Sequence, residues 1–216
     1  MTNITVAPII MGMRRTDEEL MLDFQKGDVK AFEEILKRHR HGVFNFILRF
    51  LGNRETAEEV FQEVFIKIHK AADRYLPNGK FSTWLYTITR NQCVDTFRRL
   101  KLRETMSLDG SGREEETKLV DTIASDTVAP DILSSAHEIQ TVLELALEKL
   151  NADQREVFLL REKEGFKFEE IAEMTGVSVN TVKSRMRYAL EGLKKTLKKS
   201  RFRELLDYQK ETGDDS

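Results

Sequence analysis

FKFEEIAEMTGVSVNTVKSRMRYALEGLKKTL, residues 166–197, decides how the rest of the chain is read. Phe168, Ile171, Ala172 and Met174 recur at helical spacing and predict a short helix. Gly176 can take the left-handed conformation that ends it, and Ser178 is a good N-cap for a second helix. Val182, Met186, Ala189, Leu190, Leu193 and Leu197 form the inward stripe expected of that second helix. Its outward face carries Asn180, Thr181, Lys183, Ser184, Arg185 and Arg187. A short helix, a tight Gly-containing turn and a basic second helix make the helix-turn-helix design, whose second helix enters the DNA major groove. A plain helical hairpin with a solvated face is the alternative. Two features favour DNA: base-pairing polar groups at the start of the second helix, and a basic continuation through Lys194, Lys195, Lys198, Lys199, Arg201 and Arg203.

Composition sets the wider frame. With 216 residues, 40% of them hydrophobic, the chain can bury one or two cores. Only 3 Pro and 11 Gly, with little period-two alternation, point to helices rather than sheets. The net charge of −2 hides an uneven distribution: an acidic middle lies between segments that end in basic clusters. Cys93 is the single cysteine, so no intrachain disulfide or cysteine-based metal site is available, and a reducing, cytoplasmic setting is expected. No apolar run approaches the length of a membrane span, and the N-terminus lacks a basic head before its apolar stretch.

Upstream, residues 1–16 read as a flexible N-terminal tail, closed by Thr16 with Glu19 three residues on as a capping box. Three amphipathic helices follow, broken at Gly27-Asp28 and Gly52-Asn53; the third runs from Arg54 to about Arg74. YLPNGK, residues 75–80, is a loop. FSTWLYTITRNQCVDTFRRLKLR then forms a helix in which aromatics alternate with cations. That composition suits single-stranded nucleic acid, where bases stack on rings and the backbone follows positive charge; a core helix with a basic end explains it as well. Residues 104–136 lose all periodicity and read as an acidic linker. Helicity resumes at Ala136–Leu150, with Asn151 or Asp153 capping the helix before the helix-turn-helix. The expected architecture is all-α: small helical domains at 17–103 and 137–202 joined by a flexible tether, and a C-terminal tail at 203–216.

These segments resemble a bacterial sigma factor of the extracytoplasmic-function (ECF) group, the two-domain branch of the sigma-70 family. GDVKAFEEILKRH, ETAEEVFQEVFIKIHKA and FSTWLYTITRNQCVDTFRR are similar to sigma region two. LNADQREVFLLREKEGFKFEEIAEMTGVSVNTVKSRMRYALEGLKK is similar to region four. The resemblance implies a protein that is not itself an enzyme, binds core RNA polymerase and supplies promoter specificity. It implies that the helix from Arg54 docks on the clamp coiled coil of the largest polymerase subunit, with Glu59, Gln62, Glu63 and Phe65 near the contact, and that region four also meets the flap of the second subunit. Asn78, Lys80, Phe81, Ser82 and Trp84 would capture the −10 element as single strand, with Arg90, Asn91, Arg98 and Arg99 holding its backbone. Trp84 serves equally well as a core residue holding that loop. Asn180, Thr181, Lys183, Ser184, Arg185, Arg187 and Tyr188 would read the −35 element, although many family members carry arginines where Tyr188 and Leu190 stand here. An anti-sigma partner is a further implication. No cofactor is expected.

Other classes fit less well. A ligand- or phosphorylation-controlled transcription factor needs a sensory domain, and no strand pattern or receiver pocket occurs here. A helical adaptor does not account for the basic helix after Ser178. His39 and His41 are two residues apart and do not share a helix face, so they do not suggest a metal pair, and no nucleophile–base constellation or phosphate loop is present.

Overall fold

The computed structural model describes residues 15–108 and 142–199. The expected tails, the linker beyond residue 108 and the first residues of the helix after it lie outside the described residues. All regular structure among the described residues is helical.

α1 (Asp17–Gln25) starts with a complete capping box: Thr16 Oγ1 accepts from the Glu19 N–H at 3.2 Å, and Glu19 Oε2 accepts from the Thr16 N–H at 2.8 Å. α2 (Val29–Leu51) is capped by Asp28 and ends at Gly52, which takes φ +76°. Asn53 caps α3 (Arg54–Ala71) through the Thr56 N–H at 2.8 Å. The expected third helix tightens into a 3₁₀ turn over Ala72–Arg74. Gln25 reaches back to this turn, its Nε2 donating to Ala72 O at 2.7 Å and Tyr75 O at 2.9 Å. α4 begins at Phe81 and runs to Leu108, past residue 104 where the linker was expected to begin. Its first N–H is capped from outside the helix, by Glu18 Oε1 of α1 at 2.7 Å. Leu20, Ile35, Phe46, Ile47, Ile68, Phe81 and Leu85 fill the bundle these four helices make.

Residues 142–148 form α5. Asn151, rather than Asp153, caps α6 (Ala152–Phe158), its side chain accepting from the Gln154 N–H at 2.9 Å. α6 widens into a π-helical turn, Leu159–Lys163, which the periodicity did not signal. α7 (Phe168–Thr175) ends at Gly176 with φ +69°, and α8 (Val179–Lys199) starts on Ser178, whose Oγ accepts from the Thr181 N–H at 3.1 Å. Val182, Met186, Ala189 and Leu193 are buried as expected, but Leu190 is 49% exposed. It lies at the edge of the stripe, beyond the arc covered by α6 and α7, the main partners of α8.

The sequence did not disclose how the two units meet. The two helical units do not stand apart: α2 packs against α6 and the π-helical turn, α4 packs against α7, and buried side chains from both units form one continuous core.

Candidate nucleic-acid interface and the domain junction

The loop before α4 is anchored by buried aromatic rings at both ends. Tyr75 is buried at its start, and Phe81, fully buried at its end, packs against Tyr75, His39 and Trp84 with centroid separations of 5.9, 5.4 and 5.7 Å. Trp84 is half-buried and also packs on Tyr75 at 5.0 Å. Asp17 holds His39 Nε2 at 2.7 Å and Arg38 Nη1 at 2.8 Å; the His39 bond, then Arg38, draws its carboxyl below the usual range. Phe81 therefore presents no face to a ligand; it anchors the loop. Asn78 and Lys80 are exposed on the loop, and Ser82 is half-buried just inside the helix.

Along α4 the site residues part company. Asn91, Arg98 and Arg99 are exposed. Arg99 Nη2 donates to Thr96 Oγ1 at 2.9 Å. Arg90 turns to the stripe Tyr86–Arg90–Cys93–Phe97, at spacings of four, three and four, which runs along the second unit. There Arg90 forms a forked ion pair with Glu156, which is 1% exposed. The Tyr86 hydroxyl donates to Glu164, and the Tyr86 ring packs on Phe166 at 5.2 Å. At the helix start, Lys80 Nζ meets Glu170 Oε1 at 2.8 Å. Burial raises the carboxyl pKa of Glu156 and Glu164, with Arg90 and Tyr86 opposing it; Lys80 lowers that of Glu170. Burial raises the Tyr86 hydroxyl and the Cys93 thiol above their usual ranges.

Arg155 closes the far end of the junction. It is 5% exposed, and its guanidinium donates to Leu147 O at 2.9 Å, Glu148 O at 2.7 Å and Phe50 O at 2.6 Å. It thereby supplies a cation to the carbonyl ends of both α5 and α2. Burial lowers its pKa. Neither Arg155 nor Glu156 stands out in the sequence, where the apolar Val157 and Phe158 are what mark α6 as packed.

On α3, Glu59, Gln62 and Glu63 are exposed, whereas Phe65 is only 8% exposed. Glu63 accepts from Gln92 of α4, which accepts in turn from Lys67. The apolar group that this face offers is Ile66, 53% exposed between Phe65 and Lys70. On α8, Asn180, Thr181, Lys183, Ser184, Arg187 and Tyr188 are exposed together. Arg187 lies over the Tyr188 ring at 5.0 Å, and its Nη2 donates to the Tyr188 hydroxyl at 3.3 Å. Arg185 is held by Asp153 at 2.5 Å.

The family model described as Sigma-70 region 2 matches residues 35–103, and that described as Sigma-70, region 4 matches residues 140–193. The chain is 32% identical over 174 residues to the ECF RNA polymerase sigma factor SigW of Bacillus subtilis, covering 81% of this chain and 92% of that protein. It is 31% identical over 187 residues to the ECF RNA polymerase sigma-E factor of Escherichia coli K12, covering 85% and 95%. Among solved structures it is similar to the sigma factor RpoE of Bartonella quintana, crystallised with the anti-sigma factor NepR, at TM-score 0.63 and 27% identity over 80% of this chain and all of that one. CnrH, solved with the cytosolic domain of CnrY, shares the fold at TM-score 0.61 and 23% identity, over 84% of this chain and 97% of that one.

Proposed function

The chain belongs to the extracytoplasmic-function group of the sigma-70 family, and from that premise we propose how its own residues do the work of a sigma factor. It binds core RNA polymerase and directs promoter recognition, melting and initiation. It acts by binding, catalysing no reaction of its own, and works in the cytoplasm with polymerase. Residues 17–103 act as region two and residues 137–202 as region four.

The outer face of α8 carries this reading: polar and cationic side chains, exposed together, begin at the capped N-terminus of a helix whose other face is buried. Asn180, Thr181 and Ser184 are placed for base edges, and Lys183 and Arg187 for phosphates or guanine. Arg187 stacked on Tyr188 is a stiffer donor than a free arginine, and Arg185 first has to leave Asp153. For the −10 strand, Asn78, Lys80, Ser82 and Trp84 form the capture edge; Asn91, Arg98 and Arg99 follow the backbone along α4. Phe81 and Tyr75 hold that edge in place. Glu59, Gln62 and Ile66 meet the polymerase clamp, with Phe65 lining the same hollow as Ile66, and region four meets the flap. An anti-sigma factor that embraces both regions controls the protein, by analogy with the partner-bound RpoE of similar fold.

Promoter fragments titrated with the chain alone and with core polymerase test this reading. Specific retention that needs both proteins supports it. Specific binding by the chain alone, as a dimer, would replace it with a conventional repressor or activator.

A further inference from the structure

The loop over residues 75–80 is held at both ends by α1, a helix that carries none of the site residues. At the loop's start, Gln25 Nε2 donates to Ala72 O at 2.7 Å and to Tyr75 O at 2.9 Å. At its end, Glu18 Oε1 accepts from the Phe81 N–H at 2.7 Å. Both side chains are half-buried, where a lost partner leaves a costly unpaired group. Glu18 and Gln25 are seven residues apart, two turns along one face of α1, which sets them about 10 Å apart. The six loop residues fully extended would span about 20 Å, so holders at that spacing keep the loop bowed. Residues 76–80 are accordingly exposed, and the Asn78 N–H turns back onto Leu76 O at 2.8 Å. The Tyr75 hydroxyl is buried without a hydrogen-bond partner, so that side chain contributes packing alone. The Glu18 carboxylate also meets the positive end of the α4 dipole, which fixes the helix start that carries Ser82 and Trp84. α1 is itself secured: Asp17 bonds Arg38 and His39 of α2, and Leu20 and Met21 are fully buried.

We propose that Glu18 and Gln25 are positioning residues for capture of the −10 strand: α1 clamps both ends of the capture loop and so sets where Asn78, Lys80, Ser82 and Trp84 meet the bases. The inference rests on the strand-capture reading of that loop given above. Neither Glu18 nor Gln25 touches the strand. Loosening either end blurs which bases the loop accepts, while core polymerase and the −35 element are bound as before.

The test uses the full chain assembled with core polymerase. The probe is a promoter recovered by run-off transcription, pre-melted by mismatches across its −10 element, with that stretch of the strand either intact or scrambled. The readout is the ratio of the two affinities, because unfolded protein lowers the amplitude of every signal and leaves the ratio unchanged. Glu18→Ala should cut the parent's preference for the intact strand about tenfold, the worth of one charge-assisted hydrogen bond, and Gln25→Met about fivefold. Glu18→Gln keeps an oxygen that accepts from the Phe81 N–H and should stay within about twofold of the parent. Glu33→Ala removes the same charge from an exposed position on α2 and should match the parent.

An unchanged ratio in either Glu18→Ala or Gln25→Met would overturn the proposal. So would a fall in Glu18→Gln or Glu33→Ala as large as that in Glu18→Ala, since it would trace the effect to charge. Equal losses of core affinity and of −35 use would reduce both residues to general stability and overturn it as well. The parent separates these failures from failure of the underlying reading. A parent holoenzyme that prefers the intact strand while its variants do too refutes only the α1 clamp; one that binds both strands equally refutes strand capture by the loop, and the clamp with it.

Discussion

Arg155→Met keeps the apolar stem of a buried side chain and removes its fork. Three short bonds disappear: those to Leu147 O and Glu148 O, within the second unit, and that to Phe50 O, in the first. A hydrogen bond from a charged donor to a buried carbonyl contributes about 1.5–3 kcal/mol. Two such losses should cost region four about 3–6 kcal/mol, and the third should weaken its docking on region two by about 1.5–3 kcal/mol. Against a domain stability of about 5–15 kcal/mol this is a large fraction, and it falls unevenly on the two units. Trp84 is the only tryptophan and lies in region two, so its fluorescence follows that unit while far-ultraviolet circular dichroism follows all helices. In urea the parent should lose both signals together. The variant should lose much of its helical signal at lower urea, with the Trp84 transition moved far less. Arg155→Lys, whose ammonium lacks the planar fork, should fall between. Coincident transitions at the parent midpoint would refute the view that Arg155 ties the two helix ends together.

Other perturbations reach different parts of the account. Arg187→Ala should weaken use of the −35 element about tenfold, the worth of one good cation contact, while leaving core binding intact; equal loss of both in promoter and polymerase titrations would contradict the assignment. Ile66→Glu should do the reverse, lowering core affinity at least about tenfold through lost apolar burial and an added charge, and unchanged affinity by surface plasmon resonance would remove Ile66 from the contact. Gly42→Ala should cost about 1–3 kcal/mol of docking by overpacking against Tyr86, read as reduced dye transfer between the units; unaltered transfer would contradict the tight fit. Burial holds the Glu164 carboxyl above the ordinary range in the folded chain, so the native state binds that proton more tightly than the unfolded one. Its contribution to stability therefore grows as pH falls from 7 through the raised value, and Glu164→Gln should shrink the gain in melting temperature between pH 7 and 5; an undiminished gain would refute the shift. Asp17, lowered by His39 and Arg38, acts in the opposite sense, and its contribution is lost only as pH drops below the usual carboxylate range.

What the sequence disclosed, and what it withheld, divides along physical lines. Caps were legible because they are local: Thr16, Asn53, Gly52, Gly176 and Ser178 each act within four residues, and each sits where its chemistry requires. The helix-turn-helix followed from those caps and a 3.6-residue stripe, with Leu190 misplaced because a stripe's edge depends on which neighbours cover it. The domain junction was not legible. Its members are polar or charged residues on otherwise ordinary helices, and Arg90 reads as a DNA contact until Glu156 is seen against it. Arg155 carried no signal, since nothing in ADQREVF distinguishes a buried arginine from a solvated one. Phe81 and Phe65 illustrate the same limit: an aromatic ring suits a base, a partner or a core equally well, and only tertiary packing decides.

Run-off transcription with purified core polymerase on a promoter library, with and without the protein, tests the central claim most directly. Protein-dependent transcripts sharing two spaced upstream motifs, with the upstream motif lost as a requirement in Arg187→Ala, are the predicted result. Core polymerase that gains no start sites from the protein, and does not bind it, would contradict the account.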